Sequence, residues 1–446
     1  MRTLLLLFCL LQPLPALAQA AAPAPLSDFF ELAGGDGRRA ADAAARITER
    51  WRDAYATMLV ELVLLSPPEA HGRILGLLER GTGQRFGADL DRWYDWIWRS
   101  DPGTHPEYAA FKATLYNAID PRFRAYFDDA PRTTIRLDEI RWGGVLRDGI
   151  PPLDHPKMLA AGAASYLDGD NVVFGIEWNG DARAYPKRIM AWHEMVRDRI
   201  GGEELNGVYC TLCGSMIFYR ATGNGVHHVL GTSGFLYRSN KLMYDRATES
   251  LWSTLSGTPV VGPLVGRGIE LEPLFVVTTT WGEWRRLHPT TRVLSLDTGH
   301  ERDYGEGVAY RDYFATDSLM FGVPKLDNRL PNKAEVLVLR LPGSGREPLA
   351  ISADFLRRRP MYQDRIGRVE FVVLTDRTGA NRVYASGGRR FVSWGGATAV
   401  DSERGHWAVS EAALTRSDGA RLARLPAHRA FWFGWYAAFP GTRLVK

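Results

Sequence analysis

The feature that most constrains this chain is a repeat at long range. Asp198-Arg199-Ile200-Gly201 recurs as Asp364-Arg365-Ile366-Gly367, and the interval back to an alanine, Ala184 or Ala350, is the same in both places. Trp281-Gly282-Glu283-Trp284 runs on to Pro289, Thr291 and Arg292. Trp432-Phe433-Gly434-Trp435 runs on to Pro440, Thr442 and Arg443 with every interval preserved, and Trp252 and Trp407 fall at similar places between the anchors. Agreement at that many Trp, Pro and Gly positions is not expected by chance. Two copies are too few for a solenoid; they suit a pseudo-symmetric pair packed face to face.

The texture of the chain gives the fold of the repeated unit. Past Arg132, short β-branched and aromatic runs alternate with turn residues, as in Val172 to Trp178, Asn179-Gly180-Asp181 and Arg183 to Tyr185. Asn-Gly between two such runs is a strong hairpin signal. Upstream, from Asp28 to about Phe127, apolar residues recur at helical spacing over Ala41 to Leu64 and Ile74 to Leu78. Further helical stretches surround Trp93, Trp96 and Trp98 and cover Tyr108 to Tyr116. The expected class is α+β: an N-terminal helical domain followed by two tandem copies of a β-rich unit with short helices. The expected boundaries are 19–130 for the helices, 131–300 for copy one and 301–446 for copy two.

Residues 1–18 read as a signal peptide. Met1-Arg2 is followed by a short apolar run that closes on Ala16-Leu17-Ala18 before Gln19. The mature chain is therefore expected to be periplasmic or secreted. No later segment approaches eighteen uncharged apolar residues, so no transmembrane segment is expected in it. The net charge of +4 is small for 446 residues and no Lys/Arg block is present, which argues against a nucleic-acid partner.

Of the three cysteines, Cys9 falls in the leader, which leaves Cys210 and Cys213. A secreted protein stapled by disulfides carries more, so this pair needs a local explanation. The repeat allows a comparison within one sequence. Aligning on Gly214 and Gly379 sets Cys210 opposite Thr375 and Cys213 opposite Thr378; aligning on Asp-Arg-Ile-Gly sets His193 opposite Arg359 and Glu194 opposite Pro360. Copy two thus lacks the thiols, the imidazole and the carboxylate, and a residue special to one copy is the better functional candidate.

Cys210-Thr211-Leu212-Cys213-Gly214 lies between two β runs, the shape of a metal knuckle; a thioredoxin-type motif would open a helix instead. A tetrahedral site needs further ligands. His193 is the first candidate, with Glu194 or His228 nearby, and the metal is copper or zinc, since soft thiolates favour Cu(I). His227 and His228 begin a β run and point to opposite faces. The stretch Gly231 to Asp245 has no convincing counterpart in copy two. Its Ser233, Arg238, Ser239, Asn240, Lys241 and Asp245 are candidates to line a polar pocket for a small molecule, although Gly, Ser and Asn also serve turns. There is no Gly-x-Ser-x-Gly, phosphate loop or His-Glu-x-x-His, so hydrolase, nucleotide and metalloprotease chemistry lack their usual signatures.

The stretches Asn179 to Pro186, Trp192-His193-Glu194, Tyr209-Cys210-Thr211-Leu212-Cys213-Gly214, Ser239-Asn240, Met243-Tyr244-Asp245 and Leu251-Trp252 closely resemble the family known as domain of unknown function 3179. The resemblance covers roughly Ile140 to the C-terminus. Members typically look exported or membrane-associated, and many carry Pro where this chain has Thr211. The resemblance implies no established activity. Three readings stand beside one another: a metal site, a thiol–disulfide redox pair tuned by His193, and a small-ligand binding protein whose cysteines form a structural disulfide.

Overall fold

The computed structural model describes residues 22–128, 131–341 and 347–446. The expected leader, 1–18, lies outside them. The chain divides into two compact units, one running to Trp93 with Asp101–Pro106 added, the other comprising Tyr94–Ser100 and Glu107–Lys446. Among the described residues no helix is long and apolar enough to cross a membrane.

The first unit is helical: α1 Leu26–Ala33, α2 Gly37–Glu49, α3 Tyr55–Leu65, α4 Pro68–Thr82 and the start of α5 Leu90–Ser100. The sequence dictates the breaks. The Asp36 carboxylate accepts the N–H groups of Arg38 and Arg39 and caps α2, and Pro68 opens α4 at a position that needs no N–H donor. Gly83, at φ +73°, closes α4 in the left-handed region. The helical stretch expected over Ala41 to Leu64 is interrupted at 50–54. Beyond that break α3 is buried from Tyr55 through Val63, as befits a helix apolar on all sides.

In the second unit, α6 Tyr108–Asn117 and α7 Arg124–Phe127 lead into the β-rich region. Phe123 and Phe127 meet Phe235 edge-on, with ring centroids 4.9 and 5.3 Å apart. After that, two sheets have the same plan. In one, the strands run in the order Val277–Thr280, Val172–Trp178, Asp181–Pro186, Arg292–Leu294, with Met158–Ala160 added at the edge. In the other the order is His428–Phe431, Glu335–Leu339, Leu349–Ser352, Arg443–Val445. The register also matches. Val293 faces Ala184 across a parallel pair, as Leu444 faces Ala350. Gly175 lies between Ala184 and Val277, as Val338 lies between Ala350 and His428.

Each sheet feeds a short helix, α8 Lys187–His193 in one and α11 Ala353–Arg358 in the other. Next comes an antiparallel hairpin, Met195–Ile200 with Glu203–Cys210 or Met361–Ile366 with Val369–Thr375. Here the repeated tetrapeptide finds its physical reason. Ile200 and Ile366 are buried, and Gly201 and Gly367 turn the chain at φ +56° and +55°, where a side chain would be strained. A β-meander follows in each half, and α9 Trp281–Leu287 and α12 Trp432–Ala438 follow the outer strands. Along the chain α10 Arg311–Phe314 lies between the strands Arg292–Leu294 and Glu335–Leu339.

The halves pack reciprocally. His428–Phe431 lies against Ser215–Arg220, and Val277–Thr280 lies against Asn381–Ala385. Each half thus lays an outer strand on the strand that follows the hairpin of the other.

Candidate functional site

Cys210 ends one hairpin strand and Ser215 begins the next, so the cysteines sit in the connecting turn. Within the turn, Cys213 N–H donates to Cys210 O at 3.2 Å and Gly214 N–H to Thr211 O at 3.4 Å. Gly214 has φ +61°, and a Cβ there would lie 2.9 Å from the Phe431 ring. Cys210 and Cys213 are buried and joined as a disulfide. The strand–turn–strand setting is the one expected from the sequence.

Part of the wall comes from the other half of the β-rich region. Phe431 N–H donates to Cys213 O at 2.6 Å. Gly434, the third residue of α12, lets that helix close on the turn; a Cβ there would sit 3.2 Å from Cys213 Cβ. The Tyr313 hydroxyl donates to Leu212 O at 2.8 Å.

The polar side of the site is a buried acid–base pair. Glu194 terminates α8 at φ +56°, uncommon for a residue with a side chain and a form of strain found at functional sites. Its backbone is held at both ends: Glu194 N–H donates to Met190 O and Tyr209 N–H to Glu194 O, each at 2.7 Å. Its carboxylate accepts from Lys241 Nζ at 2.8 Å, from the Thr211 hydroxyl at 2.6 Å and from the Tyr310 hydroxyl at 3.2 Å. Lys241 Nζ also donates to Thr232 Oγ1 at 3.0 Å. Burial pushes the Lys241 ammonium below the ordinary lysine range, and the Glu194 carboxylate pulls it back. Thr211, between the two cysteines, ties the turn to this pair. A cavity of about 70 Å³ is lined by Cys210, Thr211, Glu194, Lys241, Tyr310 and Phe321; Cys213 does not reach it.

The other expected ligands go elsewhere. His193 is fully buried, with Nδ1 2.9 Å from Pro151 O and Nε2 2.6 Å from the Tyr304 hydroxyl. A carbonyl can only accept, so Nδ1 carries the proton and Nε2 accepts from Tyr304. Burial lowers the His193 pKa to about 4, so the ring is neutral and its lone pair is already used. His228 is buried while His227 is exposed, the alternation expected of a strand. His228 Nδ1 lies 2.6 Å from Asp245 Oδ2, which joins two residues that the sequence assigned to different roles. Among the described residues no three His, Cys, Asp or Glu side chains converge to hold a metal ion. The set Cys210, Cys213, His193, Glu194 and His228 is therefore not assembled: the cysteines are joined to each other, His193 and His228 are bonded elsewhere, and Glu194, though beside the turn, is paired with Lys241.

The polar stretch holds the hairpin more than it lines a pocket. Arg238 and Ser239, at φ +49° and +63°, form a two-residue primed turn between Tyr237 and Asn240. Arg238 pairs with Glu139 at 2.5 Å and donates to Ala437 O. Ser233 Oγ donates to Leu242 O, and Asn240 Nδ2 to Gly434 O. Ser239 O lies 3.4 Å from Cys213 Sγ. Of the six candidates in this stretch Lys241 lines the cavity, beside Thr232, Gly234, Phe235 and Leu236, and the space there is too small for a metabolite.

The same place in the second half is differently furnished. Thr375 N–H donates to Pro360 O at 2.7 Å, as Tyr209 N–H does to Glu194 O. Strand register thus makes Thr375 the counterpart of Tyr209 and sets Asp376 in the place of Cys210. Alignment on the glycines slips by one because the second turn is a residue shorter. Ala399 faces Trp407 as Met243 faces Trp252, so Ala397 stands where Lys241 does. Arg359, opposite His193, is exposed over the Phe355 ring.

Sequence reasoning missed Tyr304, Tyr310, Tyr313 and Phe431, which act across distances with no local signal. Gly434 had one: it interrupts the second tryptophan motif where the first has Glu283.

The family model described as a protein of unknown function (DUF3179) matches residues 147–442. No curated protein and no solved structure matches the chain.

Proposed function

Since the chain belongs to this family of proteins of unknown function, whose description supplies no activity, we propose from the site itself that Cys210–Cys213 is a thiol–disulfide redox pair. We propose further that the protein is exported and built from two tandem copies of one β-rich unit. The observation that carries the redox reading is the buried Glu194–Lys241 pair, bonded to the residue between the cysteines and facing the same small cavity as Cys210. Stability does not require this arrangement. A buried ion pair offsets its desolvation only with difficulty, and a disulfide closing a four-residue loop contributes about 2 kcal/mol. The matching turn of the second half has no disulfide, and its Asp376 pairs with the buried Arg382 instead.

The exchange runs as follows. A thiolate of a dithiol donor attacks Cys210 Sγ, the cysteine on the cavity; the Cys210–Cys213 bond breaks and its electron pair leaves on Cys213. The donor's second thiolate attacks the donor sulfur of the mixed disulfide and displaces Cys210. Two electrons and two protons pass from the donor, which becomes a disulfide, to this pair, which becomes two thiols. In this reading Lys241 and Glu194, which line the same cavity as Cys210, relay the protons. Export rests on the leader-like residues 1–18, and an oxidised pair fits an oxidising compartment.

Redox titration of the purified protein by thiol labelling tests the reading. The expected midpoint lies between about −270 and −120 mV, the span of known exchange proteins, with Cys210 labelled before Cys213. A disulfide more reducing than about −300 mV and unreachable in the folded state would make the pair a static loop. Metal content of the reduced protein is measured alongside, and stoichiometric copper or zinc would replace exchange by metal handling. Export predicts that protein recovered from a bacterial host begins near Gln19; an intact leader there overturns it.

A further inference from the structure

The second half has its own concavity where the first has its disulfide. A cleft of about 880 Å³ opens around the turn Asp376–Gly379, with Trp394, Gly395 and Gly396 on one side and Glu283 to His288 of the first half on the other. That volume lies within the range of small-molecule sites.

The hydrogen bonding of its walls is lopsided. Every carboxylate oxygen on three of its acids is taken. Glu283 Oε1 accepts from Arg286, and its Oε2 from Arg286 and Arg377. Glu411 Oε1 accepts from Arg382 and its Oε2 from Arg424. Asp376 Oδ1 accepts from Thr378 and Ala380, and its Oδ2 from Arg382. Donors are left over. Arg382 NH2 is buried without a hydrogen-bond partner, and Arg382 is more than nine-tenths buried. Arg377 spends Nε and NH2 on Glu283, and Arg357 spends NH1 on Asp354, while both side chains are largely exposed at the rim. Apart from Glu177, the acids of the cleft are satisfied while guanidinium donors are left over, and that surplus is complementary to an oxyanion, which brings acceptors and no donors. The Trp394 ring, whose Nε1 is bonded to Thr375 O, leaves its face as an apolar wall.

We infer that this cleft binds a small molecule carrying carboxylate or phosphate groups, held by Arg382, Arg377 and Arg357. The second copy would then have exchanged the redox turn for a ligand site at the same position of the fold. The inference does not rest on the redox reading, and protein with Cys210→Ser and Cys213→Ser is expected to bind equally well.

The test titrates the full chain with sodium citrate and with sodium phosphate at ionic strength matched by sodium chloride, followed by calorimetry and tryptophan fluorescence. Saturable binding of at least one probe is expected. Phosphate alone would assign the phosphate class and citrate alone the carboxylate class. The double variant Arg357→Glu/Arg377→Gln leaves Arg286 on Glu283 and is expected to fold normally by circular dichroism while binding at least tenfold more weakly. Trp394→Phe is expected to remove the fluorescence change and keep the calorimetric signal. Absence of saturable binding beyond chloride, or undiminished binding by the folded double variant, overturns the inference.

Discussion

At Cys210–Gly214 the chain turns between two strands beneath Tyr310, Tyr313 and Phe431; at Asp376–Ala380 it makes the corresponding turn at the floor of a wide cleft. The scaffolds agree in strand order and register, and their paired tryptophans Trp252 and Trp407, Trp281 and Trp432, are all buried. The contents differ. The first turn is closed by a disulfide and leans on a buried lysine–glutamate pair. The second is closed by Asp376, which accepts the N–H groups of Thr378 and Ala380. The difference teaches which residues serve the frame and which serve the site. What both halves keep is packing and turn geometry, and what differs is the ionisable or redox-capable set that each gathers at its own cavity.

The sharpest way to break this comparison is to remove the lysine. Lys241→Met leaves the Glu194 charge buried and uncompensated, with an expected loss of about 3–5 kcal/mol by urea denaturation. Adding Glu194→Gln should recover much of it. Ala397, at the matching place, is exposed, and Ala397→Lys should stay within about 0.5 kcal/mol. Comparable losses at the two positions would mean that the halves are not furnished differently.

The turn glycines offer a smaller contrast. Gly214→Ala forces a side chain into a left-handed residue and against the Phe431 ring, at an expected cost of about 3 kcal/mol. Gly379→Ala suffers the same backbone strain at φ +85°, but its nearest neighbour is the flexible Arg357 side chain, so about 1 kcal/mol is expected. Equal shifts in melting temperature would show that the wall built from the second half does not press on the first.

Two buried histidines, one in each half, should behave alike. Burial lowers His193 to about 4 and His428 to about 3, both below the ordinary 6.5. The folded state resists protonating them. Stability is therefore fully present above about pH 6.5 and falls as the pH drops toward 4 for His193 and toward 3 for His428. Each adds at most one proton, or about 1.4 kcal/mol per pH unit, to the slope. His193→Gln and His428→Leu should each flatten the stability–pH curve below pH 6 by that amount. A variant with an unchanged slope would show that its histidine titrates freely.

The frame was legible in the sequence because its markers are irreplaceable: Gly201 and Gly367 occupy positive φ, and the tryptophans fill the cores. The turn carrying the cysteines was legible from the β runs on either side. Much of the site was not. Glu194 and Lys241 were both singled out, yet as a metal ligand and a loop residue, and their side chains meet from a helix end and a strand of another sheet, 47 positions apart. His193 read as a ligand because its partner Tyr304 lies 111 residues onward. The one-residue slip at the second turn arose because glycine marks where a turn closes and says nothing of its length.

The wall that α12 lays on Cys213 also has a consequence in time. Phe431 and Gly434 are made roughly 220 residues after the second cysteine. At translation rates of about 5–20 residues per second, that is a delay of roughly 10–40 s. Through that interval the nascent chain carries both sulfurs without their cover, open to whichever oxidant, reductant or isomerase it meets. The pair's oxidation state can thus be set by the biogenesis machinery before the fold shuts over it, and slower elongation past Cys213 would lengthen the window.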